Sequence, residues 1–195
     1  SINKFLLYFC ILMFICCFFY SNKLYAYNCY AGSNAGTVAP DNGTVCANKY
    51  IIKNVNLKTK TKKGNKQLSN ATHSGSDAYI TYQGEKYWFG EASGQKNIFT
   101  GQVVNFNRAL YNKRNFNADI GYWDMSSAVV TAEMFKGASK FNQDIGGWDL
   151  SSNKWFWGMF YNAKKFNQNI SGWNTASAVS FSTMFRDAAK FNQDI

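Results

Sequence analysis

The sequence predicts an α+β fold. A solenoid of 25-residue units, each a short strand plus a short helix, follows a small β-rich N-terminal cap. Three observations predict it. The C-terminal half repeats at a fixed period. Within each period a turn-rich stretch alternates with an apolar i, i+3, i+4, i+7 pattern. The region before the repeats holds short segments of alternating apolar and polar residues.

The period is the firmest of the three. From Phe116 the chain runs FNADIGYWDMSSAVVTAEMFKGASK, from Phe141 FNQDIGGWDLSSNKWFWGMFYNAKK, and from Phe166 FNQNISGWNTASAVSFSTMFRDAAK, without a gap. A further FNQDI starts at Phe191. Nine columns are identical in the three full units, where chance would give on the order of 0.1, so the repetition is structural. Positions 16, 19, 20 and 23 of each unit are mostly apolar or small, as in Phe181, Met184, Phe185 and Ala188, which predicts one face of a short helix. Ser-Ser or Ala-Ser ahead of it predicts a helix start. The stretch Phe-Asn-Gln-Asp-Ile-Gly-Gly-Trp is too rich in turn formers for a helix and predicts the strand. One unit cannot bury both faces, so neighbours must stack. The expected core is Phe116, Ile120, Trp123, Met134 and Phe135, then Phe141, Ile145, Trp148, Met159 and Phe160, then Phe166, Ile170, Trp173, Met184 and Phe185. Asn142 and its equivalents are expected to form an internal ladder at the turn. Residues 100–115 keep the same rhythm, with Val104, Ala109 and Leu110 standing where Val129, Met134 and Phe135 stand, and are expected to form a degenerate cap. A final unit of five residues, 191–195, implies a longer array.

The elements FNQDIGGWDLSS and GMFYNAKK carry a resemblance. The unit resembles the BspA-like leucine-rich-repeat surface proteins and, more closely, the mycoplasma-type surface-protein repeat family of unknown function. The likeness covers residues 100–195. It implies a leucine-rich-repeat-like solenoid in an exported, repetitive and in some cases adhesive protein, with no catalytic residues to carry over. The second unit departs from the pattern at Asn153 to Trp157.

Export is argued separately by the N-terminal segment. Residues 5–20, FLLYFCILMFICCFFY, hold no charge and are short for a membrane span. With Lys4 before them and a polar stretch to Ala26 after, residues 1–26 fit a signal peptide. If uncleaved, the segment would serve as a membrane anchor. Cys10, Cys16 and Cys17 would leave with it. That leaves Cys29 and Cys46, an even pair that predicts a disulfide in an oxidising compartment. The expected location is therefore secreted or cell surface.

Residues 27–99 are expected to form the disulfide-bearing β-rich region. Residues 50–57, YIIKNVNL, alternate like a strand, and residues 79–89 predict a hairpin turning at Gln83-Gly84-Glu85. Between them Lys58, Lys60, Lys62, Lys63 and Lys66 form a basic run. It suits an anionic polysaccharide or cell surface, or a solvated loop. Export argues against nucleic acid.

Composition narrows the function. Charged residues make up only 16% of the chain, yet the net charge is +10. Without residues 1–26, which carry Lys4 and Lys23 and no acid, 19 basic and 11 acidic residues leave +8. A single His excludes the usual hydrolytic sets, and the sequence holds no nucleophile elbow, phosphate-binding glycine loop or metal-ligand cluster. No enzyme activity and no cofactor are expected. Asp119, Asp144 and Asp194 recur in one column, Asp124 and Asp149 in another. Calcium could balance them. Turn formation, with Lys140, Lys165 and Lys190 as countercharge, is the alternative, and Asn169 and Asn174 in the same columns favour it. Trp155 and Trp157 stand where neighbouring units have Val130 and Ser180, Ala132 and Ser182. The helix core positions are filled by Phe156, Met159 and Phe160, so both indoles are expected to be exposed and free to stack on a sugar or anchor a protein. The expected function is a binding module for extracellular protein or glycan. A structural spacer with a uniform outer surface is the alternative.

Overall fold

The computed structural model describes residue 29 and residues 35–39, 46–52, 65–90 and 97–195. The expected signal peptide, Lys58, Lys60, Lys62 and Lys63 lie outside the described residues; Lys66 lies within them and is exposed.

The N-terminal part is a small β assembly. Strand β1 (Tyr50–Ile51) begins where the alternating segment begins, and helix α1 (Lys66–Ser69) is capped by Asn65, whose side chain accepts from the amides of Gln67 and Leu68. Strands β2 (Thr72–Ser74), β3 (Asp77–Tyr82) and β4 (Glu85–Trp88) make one antiparallel sheet. Its β3–β4 hairpin turns on Gln83 (φ 50°) and Gly84 (φ 86°), both left-handed, as a two-residue turn that follows strand twist requires. Strand β5 (Ile98–Phe99) pairs in parallel with β1. A disulfide joins Cys29 to Cys46, and both sulfur-bearing residues are buried with Ala39, Ile51 and Phe99.

The repeat region overturns the expected fold class. It contains no helix and no named strand; α1, of four residues, is the only helix among the described residues and lies outside the repeats. The α+β leucine-rich-repeat-like solenoid of strand-plus-helix units is therefore incorrect. The backbone gives the reason. A helix needs consecutive right-handed residues, but Arg108, Glu133, Gly158 and Thr183 have φ between 52° and 60°, and Asn112, Gly137, Asn162 and Asp187 between 57° and 74°. Each pair of left-handed positions falls inside one expected helix.

The amides go elsewhere. Those of Phe106, Arg108, Leu110 and Asn112 donate to the carbonyls of Val130, Ala132, Met134 and Lys136 in the next unit, at 2.7–3.1 Å. The intervening amides of Ala109, Tyr111 and Lys113 close turns onto carbonyls three residues back. The same alternation recurs in the following units. A chain of such turns points residues inward at i, i+3 and i+4, as Phe106, Ala109 and Leu110 show, all fully buried. The apolar rhythm is thus helical in spacing without being a helix. Single parallel bridges link Asn105, Val130, Trp155 and Ser180, so residues 100–115 form a layer in register with the units behind them.

Between layers the side chains repeat their contacts. Phe116, Phe141, Phe166 and Phe191 stack with centroids 5.9–6.0 Å apart. Phe135, Phe160 and Phe185 stack at 5.4 and 5.6 Å, and each lies about 4 Å from the Phe that opens the next unit. The indole N–H groups of Trp123, Trp148 and Trp173 donate to the carbonyls of Phe89, Ile120 and Ile145. Asn117, Asn142 and Asn167 form the expected ladder: each side-chain oxygen accepts the amide of the Asn one unit on, at 2.8 Å. The expected core residues are buried, with Phe185 half-buried, and one apolar cluster runs from Tyr50 in β1 to Met184.

Layer spacing also dictates glycine. A Cβ on Gly146 would lie 2.6 Å from the carbonyl oxygen of Asn169, and one on Gly121 2.7 Å from that of Asp144, whereas Gly147 has open space. Gly146→Ala should therefore lower unfolding free energy by about 1–3 kcal/mol through overpacking, while Gly147→Ala should be neutral or mildly stabilising; urea midpoints distinguish the two. His73 supplies a second test. It packs edge-on to Phe116, its Nε2 is buried with no hydrogen-bond partner among the described residues, and burial first and Lys113 second lower its pKa to about 4. The unfolded chain takes that proton near pH 6.5, before the folded chain does, so stability should fall as pH drops from about 6.5 to about 4. His73→Phe should flatten that part of the pH profile.

Candidate functional site

The column that bridges neighbouring layers also carries one exposed indole, Trp155, and a second, Trp157, follows two residues on. Trp155 and Trp157 are 38% and 36% exposed, among the few large apolar side chains in solvent. Their backbone is held on both sides. The carbonyl of Trp155 accepts the Thr131 amide and that of Trp157 accepts the Glu133 amide, both at 3.0 Å, while the flanking amides of Phe156 and Gly158 donate to Ser180 and Ser182. Asn153, fully buried in the column of Ala128, adds a bond from its side-chain nitrogen to the Thr131 hydroxyl at 2.7 Å. The indoles therefore project from a backbone fixed in two directions, which limits the entropy lost when a ligand docks.

Further along the same turns runs a row that sequence reasoning missed. Tyr111, Lys136, Tyr161 and Arg186 occupy one column, alternating aromatic and cation. The Lys136 Nζ lies 5.7 Å from the Tyr111 ring centre and 4.8 Å from that of Tyr161, and the Arg186 guanidinium lies 5.6 Å from Tyr161. Arg108 stands 5.2 Å from Tyr111. Such contacts contribute about 0.5–1 kcal/mol each at exposed sites. Beneath the row, the Glu133 carboxylate accepts from Arg108 Nε at 2.5 Å and Lys136 Nζ at 2.6 Å, with its own side chain 4% exposed. Burial pushes that carboxyl upward, but the bonds from Lys136 and Arg108 and their charges outweigh it, and its pKa lies below the ordinary value. Aligning the sequence at the 25-residue period and reading down this column shows the alternation; reading along each unit does not.

The acidic columns have a plain structural use. The side-chain oxygens of Asp119 and Asp144 accept the amides of Gly121 and Gly146, and Asn169 accepts that of Ser171. Asp124, Asp149 and Asn174 do the same for Ser126, Ser151 and Ala176. Each closes a turn through an oxygen that Asn supplies as well as Asp. Among the described residues, no group of three or more His, Cys, Asp or Glu side chains is placed to hold a metal ion. The expected countercharge is not found. The ion pairs between described residues are Arg108–Glu133, Lys136–Glu133 and Arg186–Asp187, and Lys140, Lys165 and Lys190 join none of them.

A family model described as "Mycoplasma protein of unknown function, DUF285" matches residues 86–195, more than half of the chain. The chain belongs to the DUF285 family. The DUF285 match opens within β4, ahead of the first full unit, so it takes in β5 and the layer at residues 100–115 as well as the repeats. No curated protein and no solved structure matches the chain. The mycoplasma-type repeat family is thus the part of the resemblance that stands; none of the comparisons returns the BspA-like leucine-rich-repeat proteins.

Glu133 offers a direct test of the row. Its folded carboxyl is depressed, so its stabilisation is complete above the ordinary carboxylate pKa and is lost as pH falls through the lower folded value. Glu133→Gln should cost about 1–3 kcal/mol at neutral pH and little at a pH where the parent carboxyl is already protonated. Urea unfolding at the two pH values measures the difference.

Proposed function

We propose that the repeat region is a binding module of a secreted or cell-surface protein, engaging extracellular protein or glycan through the face that carries Trp155 and Trp157. The observation that carries the reading is the exposure of two indoles in columns where the adjacent layers place Val130 and Ser180, Ala132 and Ser182. Large apolar side chains in solvent cost solubility and do not fill the core of their own layer, where Phe156, Met159 and Phe160 stand. Trp is the residue most enriched at the energetic centres of interfaces, and an indole face also suits the apolar side of a sugar ring.

The flanking row extends the face. Tyr161 beside Lys136 and Arg186 offers aromatic surface and hydrogen-bond donors within one layer of the tryptophans. The Cys29–Cys46 disulfide supports the extracellular part of the reading, because such bonds persist in oxidising compartments. The reading contains no catalytic step and no cofactor.

A panel of glycans and extracellular-matrix proteins, screened against the chain, tests this. Trp155→Ala/Trp157→Ala should lower affinity for the bound ligand by about 30-fold or more without moving the melting temperature. Undiminished binding by the double variant would place the site elsewhere. No binding across the panel would favour a spacer that sets reach and rigidity.

A further inference from the structure

Along the edge where each unit passes into the next, cations stand in solvent outside the ion pairs found among the described residues. Lys140, Lys165 and Lys190 occupy one column, and Arg114 and Lys164 the column before it; all five are exposed. None of them joins an ion pair with a described residue. The residues that follow the three lysines, Phe141, Phe166 and Phe191, have ring centroids 6.0 and 5.9 Å apart, so the lysine stems leave the backbone at about one layer's spacing. Like charges held that close repel one another, and no described carboxylate forms an ion pair with them.

The same edge carries hydrogen-bond donors. Asn115 and Asn117 join Lys140, Lys165, Gly75 and Ser76 in lining a cleft of about 420 Å³ under the β2–β3 turn. Asn142 and Asn167 continue the column of Asn117. Their side-chain oxygens are used between layers, and their amide nitrogens donate to no described residue. The edge is thus a single file of cations with neutral donors alongside, following the stacking direction.

We propose that this edge binds a linear acidic polysaccharide lying along the layers. Carboxylates or sulfates pair with Lys140, Lys165 and Lys190, and sugar hydroxyls meet the asparagine amides. The edge shares no residue with the face bearing Trp155 and Trp157. A single-stranded nucleic acid fits it less well. Such sites combine backbone-tracking cations with aromatic platforms for the bases, and the aromatic side chains of the adjoining column, Phe116, Phe141 and Phe166, are fully buried. A lipid headgroup layer presents charge over a plane, whereas this edge presents it along a line.

Heparin oligosaccharides are the probe, titrated against the full chain at several salt concentrations. Lys140→Gln/Lys165→Gln/Lys190→Gln should weaken binding at least about tenfold and lower the salt slope by up to about three, near one per lysine. The corresponding triple Arg variant should retain binding. Lys60→Gln/Lys62→Gln/Lys63→Gln, a matched loss of charge, should stay within about twofold of the parent. Lys165→Glu alone, a single exposed change, should weaken binding at least about threefold. The proposal is overturned if the triple Gln variant and Lys165→Glu bind like the parent, or if the Lys60, Lys62 and Lys63 variant loses as much. Tighter binding of single-stranded DNA or of phosphatidylglycerol vesicles through the same lysines would also overturn it. Loss of heparin binding in the lysine variants alone leaves the tryptophan face to be judged by its own ligand.

Discussion

Alternate backbone amides in each layer, from Phe106 to Asn112 and at the equivalent positions of the next two units, share one kind of acceptor: the carbonyl 24 residues further on. Phe106, Arg108, Leu110 and Asn112 send theirs to Val130, Ala132, Met134 and Lys136, and the following units repeat the arrangement. The left-handed residues, the turns between them and the inward direction of each Phe, Met and Ala follow from that constraint. A non-glycine residue in the left-handed region costs about 1–2 kcal/mol, and Arg108, Asn112, Glu133 and Asn162 are held there by bonds that a neighbouring layer completes. An isolated unit would have neither those bonds nor a partner for its Phe and Trp rings.

Much of this was legible before any coordinates. The Phe, Ile, Trp, Met and Phe columns announced themselves by identity at one period, and the asparagine ladder followed from a polar residue kept invariant beside a buried Phe. The β3–β4 hairpin was legible too, because Gln-Gly between alternating segments specifies a tight turn. The helix was not there to be found. Apolar residues at i, i+3, i+4 and i+7 are what a helix needs, and a run of turns braced by the next layer buries the same set. Periodicity reports which residues face inward, not which atoms their amides reach. The left-handed positions gave only a weak warning: Gly137 and Gly158 signal them, but Arg108, Glu133 and Thr183 do not.

The binding face divides in the same way. The exposure of Trp155 and Trp157 could be inferred because their columns hold small or aliphatic residues in other units and because the core positions were already occupied. The row of Tyr111, Lys136, Tyr161 and Arg186 escaped notice because its members share no identity; they share an alternation, visible only across units. Nothing in its own unit marks Glu133 as a buried acid. Its burial depends on Arg108, a full period upstream. The expected pairing of the acidic columns with Lys140, Lys165 and Lys190 is not found among the described ion pairs; Asp119, Asp124, Asp144 and Asp149 instead each close their own turn.

The recurrence of each kind of interlayer bond every 25 residues bears on how the chain tolerates change in length. Insertion or removal of 25 residues, or a multiple of it, returns each Asn, Phe and Trp to an equivalent neighbour and leaves no amide stranded. Any number between these would misalign every column beyond the break at once. The architecture thus accepts alteration in whole modules and resists it in fractions, so a lineage carrying such a gene could lengthen or shorten its product by recombination between repeats while each new junction remains as well packed as the old.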